Sequence, residues 1–559
     1  MPEAGALRAV LAFPSTYSVG ITSLGFQVVW AALARRSDVD VRRLFTDAAD
    51  PPRGGSRGRG PALDLFGLSL SWELDGPVLL DLLDGQRIPR WSHQRGDGDP
   101  IVFGGGPVLT ANPEPLAPFL DAVLLGDGEQ LLPAFLDALQ ACRHLPRPER
   151  LRALAQVEGV YVPALYVPRY DVHGTLLRID PVDASVPATV SKQTWRGESL
   201  THSTVITPEA AWPSIHMVEV VRSCPELCRF CLASYLTLPF RTPSLERSLI
   251  PAVEKGLAVT PRLGLLGASV TQHPEFADLL HWLDADRFDD TRVSVSSVRA
   301  ATVTPQLGRI LAKRGSRSLT IAIESGSDRL REVVNKKLAR EEIEAAARHA
   351  KDGGLSGLKL YGMVGLPTEE EADVEATAEL LLALRKTVPG LRLSLGVSTF
   401  VPKAHTPFQW EGVRPEAEKR LKLLAKRLKP KGIELRPESY GWSVIQALIS
   451  RGDRRLAPVI AAVRGSQESL GGWKRAYRAV RDGEAGDLGE GASADLPPPP
   501  PWEEVIHATW QEDRPLPWDH LAGPLHRDTL ARHRREALAL GLPLSGTPAG
   551  LPAAPSRPR

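Results

Sequence analysis

Hydrophobic positions along the first 150 residues follow two rhythms. ALRAVLAF, LDLFGLSL, PIVFGGG and LDAVLLG are short apolar runs closed by Gly or Pro, the pattern of buried strands. FQVVWAALARR, DGPVLLDLLDG and EQLLPAFLDALQA instead space their apolar residues as helices do. Strands alternating with helices predict a parallel sheet covered on both faces, a Rossmann-like α/β module over residues 1–150. Within it DPPRGGSRGRGP, residues 50–61, predicts an exposed loop. Residues 151–205, with GVYVPALYVPRYDV and TLLRIDPVDASVPATV, predict a connecting segment containing strands.

A second alternation occupies residues 206–430. Its strand patterns are HMVEVVR, LGLLG, RVSVSS, SLTIAIES, GLKLYGMVG and RLSLGVSTFVP, with amphipathic stretches such as TPQLGRILAKR and EEIEAAARHAKDGG between most of them. Six such units in series predict a partial or full (β/α) barrel, whose chemistry belongs at the carboxyl ends of its strands. Residues 431–559 predict a mostly helical C-terminal extension. It contains the Pro-rich linker GEAGDLGEGASADLPPPPPW and a tail, SGTPAGLPAAPSRPR, whose composition predicts disorder.

Composition changes the picture by exclusion. With 43% hydrophobic residues, 24% charged residues and a net charge of +2, the chain has no bulk affinity for nucleic acid or membrane. No apolar run approaches a membrane span and the N-terminal one is too short for a secretory signal, so a cytoplasmic location is expected. The chain has 4 cysteines in 559 residues, far too few for a disulfide framework, and clustered thiols in a reducing compartment point to metal binding or catalysis. Cys224, Cys228 and Cys231 fall together in RSCPELCRFC, directly after the first strand of the barrel pattern. Cys142, in DALQACRHL, reads as a small apolar residue on a helix.

Two metal chemistries suit three clustered thiols. Structural zinc prefers four N or S donors, and no second cysteine pair exists to complete the sphere. A [4Fe–4S] cube usually takes four thiolates, so three on a tight loop would leave one iron open to an outside ligand. Composition and spacing leave both open, with zinc short of a donor.

The spacing Cys-x3-Cys-x2-Cys, with the aromatic Phe230 before the last cysteine, resembles the signature of the radical S-adenosylmethionine (SAM) enzymes. The resemblance implies that Cys224, Cys228 and Cys231 ligate a [4Fe–4S] cluster whose open iron chelates the methionine part of SAM. It also implies reductive cleavage of SAM to a 5′-deoxyadenosyl radical, an electron donor such as flavodoxin or ferredoxin, and a small-molecule or other unidentified substrate. Further matches follow in family order. Gly267, Ala268 and Ser269 in LGLLGASV match the turn that faces the SAM amino group. Ser296 in SVSSVRA and Glu324 in TIAIESGSD match strand ends that bind the methionyl and ribose parts, and Gly362 and Gly365 in YGMVGLP match the segment along adenine. Arg299 and Lys336 read as solvated or charge-pairing residues, and His273 as a helix-start residue.

The first module carries a second resemblance. VFGGGPVLTANPEPLAPFLDAVLLGDGEQLLPAFLDAL is similar to the latter half of the cobalamin-binding-type domain that precedes the barrel in one radical SAM branch. Gly104, Gly105 and Gly106 allow a sharp turn after a buried strand and close approach of a ligand, and Gly126 to Gly128 repeat the device. The branch's cobalt-binding Asp-x-His-x-x-Gly is missing, because no histidine precedes His93. That argues against a histidine-ligated cobalamin and leaves a corrinoid bound without protein histidine, or a module that holds substrate. FVPKAHTPFQW and ESYGWSVIQALISRGDRRLAPVI resemble the close of a bacterial subfamily akin to the anaerobic magnesium-protoporphyrin cyclase type. Its extension is expected to cap the barrel, with Gln446, Arg451, Asp453 and Arg454 either reaching substrate or forming a paired helix surface.

The leading expectation is a radical SAM enzyme that abstracts hydrogen from an unactivated carbon, with methylation or ring formation as outcomes. The alternative from another class is a non-catalytic corrinoid- or tetrapyrrole-binding or redox-sensing protein. A tRNA methylthiotransferase needs three more cysteines for a second cluster, and only Cys142 is left.

Overall fold

The structure, a computed structural model, describes residues 3, 5–51, 63–463, 469–484 and 496–541. Most of the predicted 50–61 loop, the middle of the Pro-rich linker and the whole C-terminal tail lie outside the described residues. The first module is a six-stranded sheet: β1 (Leu7–Ala12), β2 (Val39–Leu44), β3 (Leu65–Ser69), β4 (Ile101–Gly105), β5 (Ala122–Leu124) and β6 (Val160–Tyr161). Its order is β2-β1-β3-β4-β5-β6, parallel throughout except for the antiparallel β6. The chain reverses its direction of travel across the sheet between β1 and β3, so a crevice opens beyond their carboxyl ends. The sheet is completed by β6, which lies past the predicted boundary at residue 150.

The connecting segment holds an antiparallel hairpin, β7 (Tyr166–Tyr170) and β8 (Leu176–Pro181), then β9 (Val190–Ser191). The second alternation folds as predicted, with one strand more. β10 (His216–Glu219), β11 (Arg262–Leu266) and β12 (Arg292–Val295) form one parallel sheet. β13 (Ser318–Glu324), β14 (Gly357–Val364), β15 (Arg392–Thr399) and β16 (Glu434–Pro437) form another. A parallel bridge between Val298 and Ile321 joins the two sheets. The result is an open, seven-stranded partial barrel. Its last strand falls inside the region predicted as extension, because ELRP buries only Leu435 and carries no readable alternation.

Alternation within the strands decides what the barrel can hold. In β14, Leu358, Leu360 and Val364 face the helices and are buried, while Lys359 and Tyr361 are exposed on the inner face, Tyr361 by 51%. Ser294, Ser296, Thr320, Ser394 and Ser398 occupy the same inner face on neighbouring strands and are half-buried. A closed structural barrel fills this space with Val, Ile and Leu. This one keeps it polar and open.

Beyond β16 the extension is mostly helical, but it turns back on the first module instead of only capping the barrel. Val444, Ile445, Leu448 and Ile449 of the helix Tyr440–Arg451 share one core with Leu79, Leu80 and Phe119. Each such fully buried side chain contributes roughly 1.5–3 kcal/mol. The polar residues read as either substrate-facing or a paired helix surface serve this packing. Gln446 donates to Glu73 (2.8 Å) and Arg454 to Glu114 (2.8 Å) and Tyr161 (3.0 Å). Asp453 accepts from Arg455, and Arg451 donates to the Ile506 and Ala508 carbonyls while its guanidinium lies 3.7 Å from the centre of the Trp510 ring. Arg454 and Asp453 are charge-paired, with Glu114 and Arg455, whereas Gln446 and Arg451 are buried on Glu73 and on backbone carbonyls. β17 (Leu521–Ala522) pairs with β9, and the helix Arg527–Leu540 lies against the segment after β10.

Candidate functional site

The stretch from Cys224 to Cys231 is a loop between β10 and the short helix Leu232–Leu236. Two of its positions, Ser223 (φ 70°) and Leu227 (φ 53°), are left-handed without being glycine. Such conformations cost on the order of 1 kcal/mol or more and persist only where surroundings enforce them. Here the enforcing segment is residues 332–337, itself left-handed at Asn335 and Lys337. Asn335 Nδ2 donates to the carbonyls of Glu226 (3.1 Å) and Leu227 (2.9 Å), and Lys337 Nζ to that of Glu226 (3.2 Å). Arg229 donates to the carbonyls of Glu332, Val333 and Val334. Phe230 packs among Leu330, Val333, Val334 and Ala537, and Tyr235 Oη donates to Leu227 O (3.1 Å) while meeting His533 Nδ1 at 3.2 Å. The C-terminal helix thus closes the outer side of the loop.

Charge around the thiols is uneven. Glu324 ends β13 at a bulge, with φ 64°, and its carboxylate lies 2.7 Å from Lys336 Nζ. Burial opposes the Lys336 ammonium, but Glu324, Cys228 and Cys231 outweigh it and hold its pKa above the usual lysine range. Burial pushes the Cys228 thiol up to about 12, with Cys231, Glu324 and Cys224 adding to the rise and Lys336 opposing it. Three thiols on one loop, Cys228 buried and Cys224 and Cys231 half-buried, with the Lys336 ammonium acting on Cys228, form a soft donor set that suits cationic iron. Among the described residues no three His, Cys, Asp or Glu side chains converge on a single ion. Three thiols on one loop are the donor chemistry of an iron–sulfur cluster, one short of its usual four cysteines.

The strand ends sort the predicted residues. Gly267, with φ 154°, packs against Val221, and Ser296 Oγ donates to its carbonyl (3.0 Å), which ties the ends of β11 and β12 together. Ala268 is exposed at this turn, and Ser269 is buried with its hydroxyl on Gln272. Gln272 in turn donates to Glu226 (2.6 Å), which pairs with Arg299 (2.9 Å), so Arg299 is charge-pairing as predicted and anchors the cysteine loop. Gly362 is buried beside Glu324 O, at 3.2 Å from where a Cβ would stand. Gly365 is a left-handed turn (φ 78°) whose N–H binds Glu369 and whose missing Cβ faces Ala417, Thr399 and Arg414. His273 is a buried capping residue that accepts from Glu275 N and bonds Pro243 O. Cys142 sits in the core of the first module, remote from the other three. Lys336, read in the sequence as an ordinary charged residue, is the one the structure adds to the site.

Between the first module and the barrel lies a cavity of about 410 Å³. Leu11, Leu68 and Phe103 form its apolar floor at the carboxyl ends of β1, β3 and β4, Gly105, Gly106, Gly126 and Gly128 its rim, and Gly267 its barrel side. The cavity lies at the carboxyl ends of β1 and β3, where the strand order reverses. Gly106 (φ 112°) must be glycine, since a Cβ would stand 2.2 Å from Leu70 O. Gly104 is different: its Cβ would meet Leu109 at 2.4 Å inside the core, so it does not line the cavity as expected. None of the residues lining this cavity is histidine.

A Rossmann-like module and an open parallel barrel with a polar inner face, carrying three thiols on the loop after the barrel's first strand, define a two-unit α/β protein. The family described as radical SAM proteins, N-terminal, matches residues 25–163, and the radical SAM superfamily matches residues 218–381. The chain belongs to the radical SAM superfamily and is an enzyme of it. The uncharacterized protein MJ0966 of Methanocaldococcus jannaschii is 27% identical over 453 residues, 80% of this chain and 90% of that protein. The uncharacterized methyltransferase PH0819 of Pyrococcus horikoshii is 25% identical over 304 residues, 50% of this chain and 56% of that one. Among solved structures, TsrM from Kitasatospora setae, with tryptophan substrate and a SAM analogue bound, aligns at TM-score 0.49 and 14% identity over 72% of this chain and 74% of that one. Membership implies a [4Fe–4S] cluster, SAM and an electron donor. No described helix is long and apolar enough to cross a membrane.

Proposed function

We propose that this enzyme holds a [4Fe–4S] cluster on Cys224, Cys228 and Cys231, lays SAM across the carboxyl ends of β11 to β14, and starts radical chemistry on a carbon of a substrate received at the barrel mouth. The observation that carries the reading is the strained cysteine loop, braced by residues 332–337 and facing the Glu324–Lys336 pair. When bound, the cluster and SAM supply a 5′-deoxyadenosyl radical able to abstract hydrogen from an unactivated carbon. The chain's own residues do the rest. Ser296 fixes the Gly267 carbonyl, so the turn Gly267–Ser269 presents backbone to the SAM amino group. Glu324, held by Lys336, offers a carboxylate to the ribose hydroxyls or ammonium, and Gly362 leaves room beside it. The helix Arg527–Leu540 excludes water from the outer side of the loop.

Methylation or ring formation follows as the class of outcome, and the interdomain cavity favours a second bound group. The groups that its apolar floor and glycine rim would take are the edge of a corrinoid not ligated by a protein histidine, or the substrate itself. Loading tests the proposal. Anaerobic reconstitution should give about four iron and four sulfide per chain. Cys224→Ala, Cys228→Ala and Cys231→Ala should each lose most of it, and Cys142→Ala none. Loss of loading in Cys142→Ala would overturn the three-ligand assignment. A loaded protein that consumes no SAM would favour the non-catalytic sensor.

A further inference from the structure

We propose that Arg222 is a positioning residue that aims Cys224 and makes the cysteine loop answer to the wall of the interdomain cavity. Its side chain is 13% exposed, and its guanidinium joins three carboxylates from both modules. Nε donates to Glu219 Oε1 (2.8 Å), Nη2 to Glu219 Oε2 (2.7 Å) and Glu129 Oε1 (2.7 Å), and Nη1 lies 3.2 Å from Asp127 Oδ1. Asp127 is fixed in turn by Arg241 Nη1 (2.5 Å) and the Trp195 N–H (2.8 Å). Asp127 and Glu129 stand at the start of the helix Gly128–Cys142 in the first module, whereas Glu219 ends β10 in the barrel.

Two features turn this clasp into a positioning device. Only Ser223, left-handed at φ 70°, separates Arg222 from Cys224, so a rotation at Arg222 passes to the thiol through one strained residue. Arg222, Asp127, Glu129, Glu219 and Gly267 also line the same cavity, so a ligand there touches the network and the SAM-facing turn at once. The backbone of Arg222 also exchanges hydrogen bonds with Arg241 (3.0 Å each way), and Arg241 holds Asp127 in turn, so the main chain and side chain of Arg222 belong to one network. A planar fork suits several carboxylates held at set angles, and an ammonium of equal charge does not reproduce it.

The inference rests on the radical SAM reading, and iron loading separates the two. The full chain is reconstituted anaerobically as wild type, Glu129→Gln and Arg222→Lys, with iron per chain measured beside the spin-resonance spectrum of the reduced cluster at increasing SAM. Glu129→Gln lies in the other module and keeps its shape, so iron should stay within about a tenth of wild type while the SAM titration moves about threefold. Arg222→Lys should move it about tenfold, equivalent to about 1.4 kcal/mol, with an altered line shape. A simple clasp between modules would lower iron in proportion and leave the spectrum of each loaded cluster unchanged. Titrations and spectra that superimpose on wild type in both variants overturn the proposal, as does lost loading in Arg222→Lys with an unaltered Glu129→Gln. A wild-type chain that takes up no iron overturns the cluster reading and this one together.

Discussion

Replacing Lys336 with Met isolates the electrostatics that the cysteine loop depends on. The ammonium lies 2.7 Å from Glu324 Oε1, with side-chain exposures of 16% and 9%, so solvent compensates little when it is removed. Breaking a buried pair from one side costs about 3–5 kcal/mol, because the surviving charge stays buried beside the thiols. The damage should be local, since Asn335 and Lys337 still hold the loop by their own hydrogen bonds. Hydrogen exchange of the apo protein, read on peptides covering 222–236 and 328–338, measures that local opening. Protection there should fall about 100- to 4000-fold at about 1.4 kcal/mol per decade. Protection in the strands of the first module should not change. Adding Glu324→Gln removes the orphaned charge and should restore protection to within about tenfold of wild type, a coupling that a double-mutant cycle reports directly. Unchanged protection in Lys336→Met, or a double variant no better than the single, would refute the argument.

Gly106→Ala, which must place a Cβ 2.2 Å from Leu70 O at φ 112°, should lower the Tm by several degrees, whereas Gly105→Ala, whose nearest neighbour is 3.7 Å away, should leave it unchanged. Burial and the charge of Glu73 push Asp75 up to about 7, so its proton is kept in the folded chain after the unfolded chain has lost it. Stability from this group therefore falls as pH rises from about 4 to 7. Asp75→Asn should raise the Tm at pH 8 and not at pH 4, and a rise of equal size at both would exclude the titration as its cause. Glu324→Ala leaves the Lys336 ammonium beside the thiolates that attract it, so iron per chain should stay near normal while SAM binding weakens, and an unchanged SAM titration would remove this side chain from the site.

The alternation of apolar runs made both α/β units legible, because buried parallel strands and their covering helices carry opposite periodicities. The cysteine loop was legible for a simpler reason: three of 4 cysteines lie in one short stretch. What escaped was tertiary. Glu434–Pro437 becomes a strand only because β15 offers it an edge, and its single buried leucine gives no signal. NKK at 335–337 looks like any solvated turn, and only the fold brings it under the cysteine loop. Gly104 and Gly106 are the same letter two positions apart, yet one is filled by Leu109 and the other is forced by its backbone. Gln446, Arg451, Asp453 and Arg454 read as a helix surface because nothing local shows that the extension returns to pack on the first module.

The most direct measurement of the central claim is product analysis of the anaerobically reconstituted chain with SAM and a strong reductant. The account predicts 5′-deoxyadenosine in wild type and in Cys142→Ala, and none in Cys224→Ala, Cys228→Ala or Cys231→Ala. A fully loaded wild-type protein that forms no 5′-deoxyadenosine, with or without a protein electron donor, would contradict it.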